Sequence, residues 1–256
     1  MLKIVHSKNS LLPLFLLIFA VNSYSVSFNP LVSDICSNNS YIKDKFKDYT
    51  AINASDEQIG VEITLKRVDG YDDKNNEIRN KVSSEITWYP KQFIMQAKTQ
   101  KNFRVQVNMN NIPKKEHTYR IVVKEVPLNL TKNNTEESET NKAESSLKMI
   151  FSYEGLLFVK KCNYQPKLKV NYFTFNKKNN LIDLEIANTG KASIVPSFES
   201  LDIVLLVNKK EFSLKGKFKR QFRLYPDNKK KFQIKLLEPF LLDNMDNMKL
   251  ILVNNK

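Results

Sequence analysis

The sequence predicts an all-β protein built from two successive β-sandwiches, and three observations carry this expectation. Beyond residue 25, short runs rich in Val, Ile, Phe, Tyr and Thr recur between clusters of Asn, Asp, Lys and Pro, the punctuation of strands and turns. Several runs alternate: in Ile59-Gly60-Val61-Glu62-Ile63-Thr64-Leu65-Lys66 the apolar residues share one face and the polar ones the other, as in an antiparallel strand with one side buried. No heptad, internal repeat or amphipathic helical stripe breaks the pattern.

Taken in chain order, the first element is a targeting segment. Lys3, His6 and Lys8 make a weakly positive start, residues 11–21 form an eleven-residue apolar run, and Ser23 and Ser25 are small residues at the positions a signal peptidase reads. Residues 1–25 are therefore expected to be a signal peptide. A buried first helix is the alternative, but the flanking polar residues show no helical stripe. The run falls short of the ~20 residues that span a bilayer, and no other stretch reaches 18, so no membrane insertion of the mature chain is expected. Strands follow at 27–31, 49–54, 59–68, 86–89, 102–107, 117–126 and 147–159, seven in all, which predicts an immunoglobulin-like sandwich over 26–163. Residues 129–146, almost without apolar side chains, read as a long loop inside it. The polar, proline-containing stretch 160–169 reads as the joint between domains. A second sandwich, 164–256, is expected from runs at 168–175, 181–188, 201–207, 211–214, 221–224, 231–236 and 248–253, with Asn188-Thr189-Gly190-Lys191 as a turn.

Composition narrows the function. At 41% hydrophobic and 27% charged over 256 residues the chain can bury sizeable cores, which excludes a purely disordered tail. Its five glycines are too scattered for a phosphate-cradling loop. Two histidines and two cysteines supply no metal cluster, so neither a metal nor a cofactor is expected. The net charge of +14 rests on 41 basic residues of which only six are arginine. Base and phosphate recognition favours arginine with interleaved aromatics, so the reading is a solvated lysine surface that steers acidic proteins, with no nucleic acid as partner. His117, the one histidine beyond the leader, stands in Lys-Lys-Glu-His-Thr-Tyr, a solvated strand entrance rather than the base of a hydrolase, so no enzyme and no catalytic residues are expected. In an exported chain two cysteines suggest one disulfide, Cys36 to Cys162, with two free buried thiols as the alternative.

The wording of the first sandwich carries a resemblance. Trp88-Tyr89-Pro90, Gln100-Lys101-Asn102-Phe103-Arg104-Val105 and Tyr119-Arg120-Ile121-Val122-Val123-Lys124-Glu125-Val126-Pro127 resemble the signature of the PapD-like periplasmic chaperones that assemble pili and fimbriae. The long loop and the Met-x-Phe-Ser run look like the archaic or alternative branch of that chaperone-usher family. The resemblance implies two immunoglobulin-like domains in a boomerang, residence in the periplasm, and two partners: a pilus or fimbrial subunit, and an outer-membrane usher to which the subunit is delivered. It places the family's F1–G1 loop at 129–146 and its donor strand G1 at 147–159.

Site residues follow from that alignment. Leu147, Met149, Phe151 and Tyr153 alternate, and would enter a row of pockets on the subunit while the strand backbone completes the subunit's sheet. Alternation alone equally fits side chains that fill this chain's own core; the resemblance favours donation. An unoccupied donor edge could also pair two copies into a homodimer. The main branch of the family clamps the subunit's terminal carboxylate with an arginine on the first strand and a lysine late in G1. Here residues 26–33 hold no arginine and the late G1 strand reads Glu154-Gly155-Leu156-Leu157-Phe158, leaving Arg104 and Arg120 as stand-ins, with structural pairing to a carboxylate as their alternative role. Glu125, with Lys160 or Lys161 and Asp243 or Asp246, is expected in an interdomain salt bridge. The implied arrangement also brings Cys36 and Cys162 together. The competing reading is a secreted structural sandwich, an adhesin or pilus subunit, which should lack a complete G strand.

Overall fold

Burial along the longest strand shows how the alternation is spent: Ile59, Val61, Ile63 and Leu65 of Ile59–Tyr71 are all 4% exposed or less, while Glu62, Thr64 and Lys66 between them reach solvent to varying degrees. The structure, a computed structural model, describes residues 26–38, 45–82, 84–108, 110, 112–126, 128, 150–195, 201–207, 210–218, 222–237 and 248–253. The leader, the whole 129–146 loop, Leu147, Met149, Asp243 and Asp246 lie outside these.

The first half contains β1 (Val26–Asn29), β2 (Val32–Ser37), β3 (Phe46–Asn53), β4 (Ile59–Tyr71), β5 (Glu77–Lys81), β6 (Ile86–Tyr89), β7 (Gln92–Met95), β8 (Gln100–Val107), β9 (His117–Val126) and β10 (Ser152–Lys161). One sheet runs β1-β3-β8-β6; the other runs β2-β10-β9-β4-β5, with β7 also on β4. Between them lies a core built on Phe28, Tyr49 and Phe103, whose rings meet at 5.1–6.2 Å, together with Ile63, Tyr119, Ile121 and Leu157. The indole of Trp88 spans the layers and donates to the Ile63 carbonyl at 2.8 Å.

The second half contains β11 (Leu168–Asn176), β12 (Leu181–Asn188), β13 (Leu201–Val207), β14 (Lys210–Phe218), β15 (Lys229–Leu236) and β16 (Met248–Val253). They form one hydrogen-bonded path, β11-β12-β15-β14-β13-β16, whose two ends come together around a separate core of Ile182, Leu184, Ile186, Leu224 and Ile234. Of the expected run at 221–224, the described residues 222–224 form no strand: Leu224 makes only a bridge with Ile194. Strands β2, β5 and β7 were not expected. Each is an edge or short strand, and Glu77-Ile78-Arg79-Asn80-Lys81 has no buried alternation to betray it. The architecture is all-β with two immunoglobulin-like sandwiches, as expected.

Candidate functional site

Strand β10 is paired on both flanks, but over different lengths. Against β9 it runs antiparallel from Ser152, opposite Lys124, to Val159, opposite His117. Against β2 it runs parallel, and that pairing begins only at Leu156, opposite Val32. Residues 152–155 therefore lie beside no strand on that flank among the described residues. The Glu125 amide donates to the Phe151 carbonyl at 3.0 Å, and the Leu156 amide donates to the Leu31 carbonyl at 2.7 Å. Alternation then turns the backbone groups of Tyr153 and Gly155 toward β9 and those of Ser152 and Glu154 outward, where an added strand would pair.

What ends the covered stretch is the crossing of the chain from β1, in one sheet, to β2, in the other. Gly155 passes directly under that crossing: a Cβ there would lie 2.7 Å from the Leu31 carbonyl oxygen and 2.7 Å from Cζ of Phe28. Leu31, Val32 and Ile150 beside the open flank are exposed. Phe151 and Tyr153 share the inward face of β10 with Leu157 and Val159 and pack half-buried on the rim of the first core. They are thus neither sealed in nor free, at the end of the strand where the open edge begins.

The outward face of β10 meets a charged network. Arg79 forks onto Glu154 at 2.7 and 3.0 Å and reaches Glu77 at 3.1 Å. Arg120 forks onto the same Glu77 at 2.6 and 2.8 Å, and the Tyr225 hydroxyl of the second sandwich donates to it at 2.6 Å. Burial works to raise the Glu77 carboxyl, but the Arg120 and Tyr225 bonds, with the charges of Arg120 and Arg79, outweigh it and hold the group at about 2. Burial, then the bond to Glu77, pushes the Tyr225 hydroxyl up.

The two arginines expected as carboxylate anchors are both engaged. Arg104 stands on the outer face of the opposite sheet, forked onto Asp48 at 2.6 and 2.9 Å and lying over the Phe46 ring; the Arg104 bond holds the Asp48 carboxyl below its ordinary value. Arg120 is beside β10 but belongs to Glu77. The cations that flank the strand where β2 covers it are others: Lys160 Nζ and Arg223 Cζ lie 5.6 and 4.7 Å from the centre of the same Phe158 ring, one from each sandwich.

The structure does not bring Glu125 and Lys160 together. Lys160 follows Val159, which stands opposite His117, and Glu125 is eight residues further along β9, roughly 26 Å away at strand rise. Lys160 instead reaches Glu116 at 3.5 Å. Contacts between the sandwiches gather at the other end of β9: the Glu116 amide donates to the Lys191 carbonyl at 2.9 Å, the Ser193 amide to Glu116 Oε1 at 3.2 Å, Lys115 pairs with Asp227 at 2.7 Å, and the Tyr71 hydroxyl donates to the Arg223 carbonyl while its ring stacks on Tyr225. Glu77, Glu154, Arg223 and Tyr225 were not singled out in the sequence, where each reads as an ordinary surface position. Cys36 and Cys162 are bonded, with Cα atoms 5.0 Å apart, fastening the end of β2 to the end of β10; the alternative of two free thiols does not hold.

Comparison with solved structures recovers the same fold. The class 5 fimbriae chaperone CfaA matches over 89% of this chain and 98% of its own, at 18% identity and a TM-score of 0.53. A structure described as a chaperone–tip adhesin complex vital for activation of CFA/I fimbriae biogenesis matches to the same extent. The CsuC–CsuE pre-assembly complex of the archaic chaperone-usher Csu pili of Acinetobacter baumannii matches over 81% of this chain and 89% of the other, at 15% identity and a TM-score of 0.51. No family model matches the sequence, and no curated protein matches it. The all-β, two-sandwich fold is that of the fimbrial chaperones.

Proposed function

We propose that this chain is a periplasmic chaperone of pilus or fimbrial assembly, of the archaic or alternative branch, which holds a subunit by lending it the open half of β10. The observation that carries the reading is the unpaired flank of residues 152–155, where outward-facing backbone groups of Ser152 and Glu154 adjoin the exposed side chains of Leu31, Val32 and Ile150. A strand added there gains main-chain hydrogen bonds from the edge and side-chain specificity from the alternating Leu147, Met149, Phe151 and Tyr153. The similar structures include one chaperone described with a tip adhesin and another with a tip subunit. A partner strand running parallel to β10 would end against the start of β2, about two residues or ~7 Å before Phe158. Its terminal carboxylate is therefore read toward Arg223 and Lys160 rather than Arg104 or Arg120.

The rest of the reading follows from the same alignment. Residues 1–25 export the chain, 26–163 form the subunit-binding domain, 164–256 form the second domain, an outer-membrane usher receives the complex, and the free edge pairs two copies when no subunit is present. The work is binding, not catalysis. The pilus-subunit alternative is disfavoured because β10 completes its own sheet along Leu156–Lys161. The test is co-purification: the mature chain should leave the periplasm in a soluble one-to-one complex with a smaller β-rich subunit. Changing Met149 and Phe151 together to aspartate should abolish that complex while the chain still folds, because Phe151 stands only half-buried on the rim of the core, where a charge keeps access to water. Loss of folding would assign both side chains to the chain's own core; a folded variant that still captures its subunit would reject donation.

A further inference from the structure

The seam between the sandwiches holds a group that subunit binding does not use. His117 is the only histidine beyond residue 25. It begins β9, and its Nε2 lies 3.2 Å from Nη2 of Arg67. A guanidinium only donates, so Nε2 must accept, which makes the ring neutral with its proton on Nδ1. Among the described residues, Nδ1 is buried without a hydrogen-bond partner, and so is Oε2 of the adjoining Glu116, whose nearest cation is Lys160 at 3.5 Å. Both residues line a cavity of about 100 Å³ whose wall both sandwiches supply: Arg67, Asp69 and Gly70 on one side, Tyr225, Pro226 and Asn228 on the other. Glu116 itself bonds across the seam to Lys191 and Ser193.

We propose that His117 is an acid-operated latch on this seam, clamped to Arg67 when neutral and released when protonated, so that the joint between the two sandwiches loosens in mild acid. An imidazolium has two N–H donors and no acceptor, so it cannot keep the Arg67 bond and would set a second cation against that guanidinium. The groups facing it are mixed: Arg67 and Asp69 from β4, Glu85 from the turn before β6, Lys115 and Glu116 from its own approach, Lys160 of β10 behind Glu116, and Asp227, bonded to Lys115, from the second sandwich. Glu116 and Glu85 are the acceptors to which a released, charged ring would turn, and turning to Glu116 disturbs the carboxylate that receives the Ser193 amide. Burial, then the Arg67 charge, holds the imidazole below its ordinary value, with Glu85 and Asp69 pulling the other way. A histidine depressed in the folded state contributes stability that is present above its unfolded pKa of about 6.5 and is lost as pH falls through its folded value.

The experiment uses the mature chain from pH 7.5 to 5. Nuclear magnetic resonance should show one histidine ring titrating with a midpoint below 6.5, and the backbone amide signals of Glu116 and Ser193 moving with that same midpoint. Small-angle scattering should report a change in overall dimensions over the same range. His117→Gln keeps a carbonyl acceptor for Arg67 but cannot titrate, and should hold the neutral-pH scattering profile throughout. The proposal is overturned by a midpoint at or above 6.5, by seam amides that ignore the ring titration, or by the same transition in His117→Gln. Should that variant not fold, the ring and amide titrations of the unaltered chain decide alone.

Discussion

Glu77 accepts from three side chains, two in the first sandwich and one in the second, and replacing it by glutamine tests whether this junction holds the molecule together. Its carboxyl is held at about 2 against an ordinary 4.5; at 1.36 kcal/mol per unit this corresponds to roughly 3 kcal/mol favouring the charged form. The Glu77 side chain is 12% exposed and that of Arg120 21%, so little solvent screening discounts the figure, and removing one partner of a buried pair costs a similar ~3–5 kcal/mol. Because the group is depressed, its contribution is complete above pH ~4.5 and disappears as pH falls toward 2. Glu77→Gln should therefore lower the stability of the first sandwich by about 3 kcal/mol at pH 7 and by progressively less between pH 4.5 and 2. Urea unfolding followed by fluorescence of Trp88, the sole tryptophan, reads this sandwich directly. A loss under ~1 kcal/mol at pH 7, or a loss of the same size at pH 7 and pH 3, would refute the assignment.

Three further outcomes are expected. Gly155→Ala should cost about 1–3 kcal/mol in the same unfolding assay, because its Cβ would press on a backbone oxygen, Leu31 O, which cannot move without shifting the start of β2. Thiol titration of the unreduced chain should find no free sulfhydryl, and Cys36→Ser with Cys162→Ser should lose up to ~5 kcal/mol, the chain-entropy value for a loop of 126 residues. Arg104→Ala should leave both folding and subunit capture unchanged, since Arg104 and Asp48 sit half-exposed on the sheet opposite β10; lost capture would return the anchor role to Arg104.

Legibility followed burial. Strands β6 and β9 lie where the alternation placed them, at 86–89 and 117–126, because core strands must put every second side chain into the sandwich. Strands β2 and β5 were invisible because an edge strand with a wet face needs no such pattern: in Val32–Ser37 only Ser33 and Ile35 are buried. The disulfide was legible from two cysteines in a chain expected to be exported. The junction was not. Glu125 looked like an interdomain acid by position, whereas Glu77 serves because a hairpin edge and a turn of the second sandwich, 148 residues later in the chain, bring Tyr225 to it, and no local spacing encodes that meeting. Alternation through Phe151 and Tyr153 puts both side chains on one face of β10 without saying what that face meets, and only the register with β2 shows which half of the strand is open among the described residues.

The central claim is that the outward backbone of residues 152–155 pairs with a subunit strand, and Ser152→Pro tests it most directly. Ser152 is exposed, and its amide points to the open flank rather than to β9. Proline is tolerated on an edge whose N–H faces solvent, yet removes the donor an added strand requires. The Trp88 signal and unfolding midpoint should stay unaltered while the co-purified one-to-one complex formed by the unaltered chain is lost. A folded Ser152→Pro chain that captures its subunit as well as the unaltered chain does would contradict it.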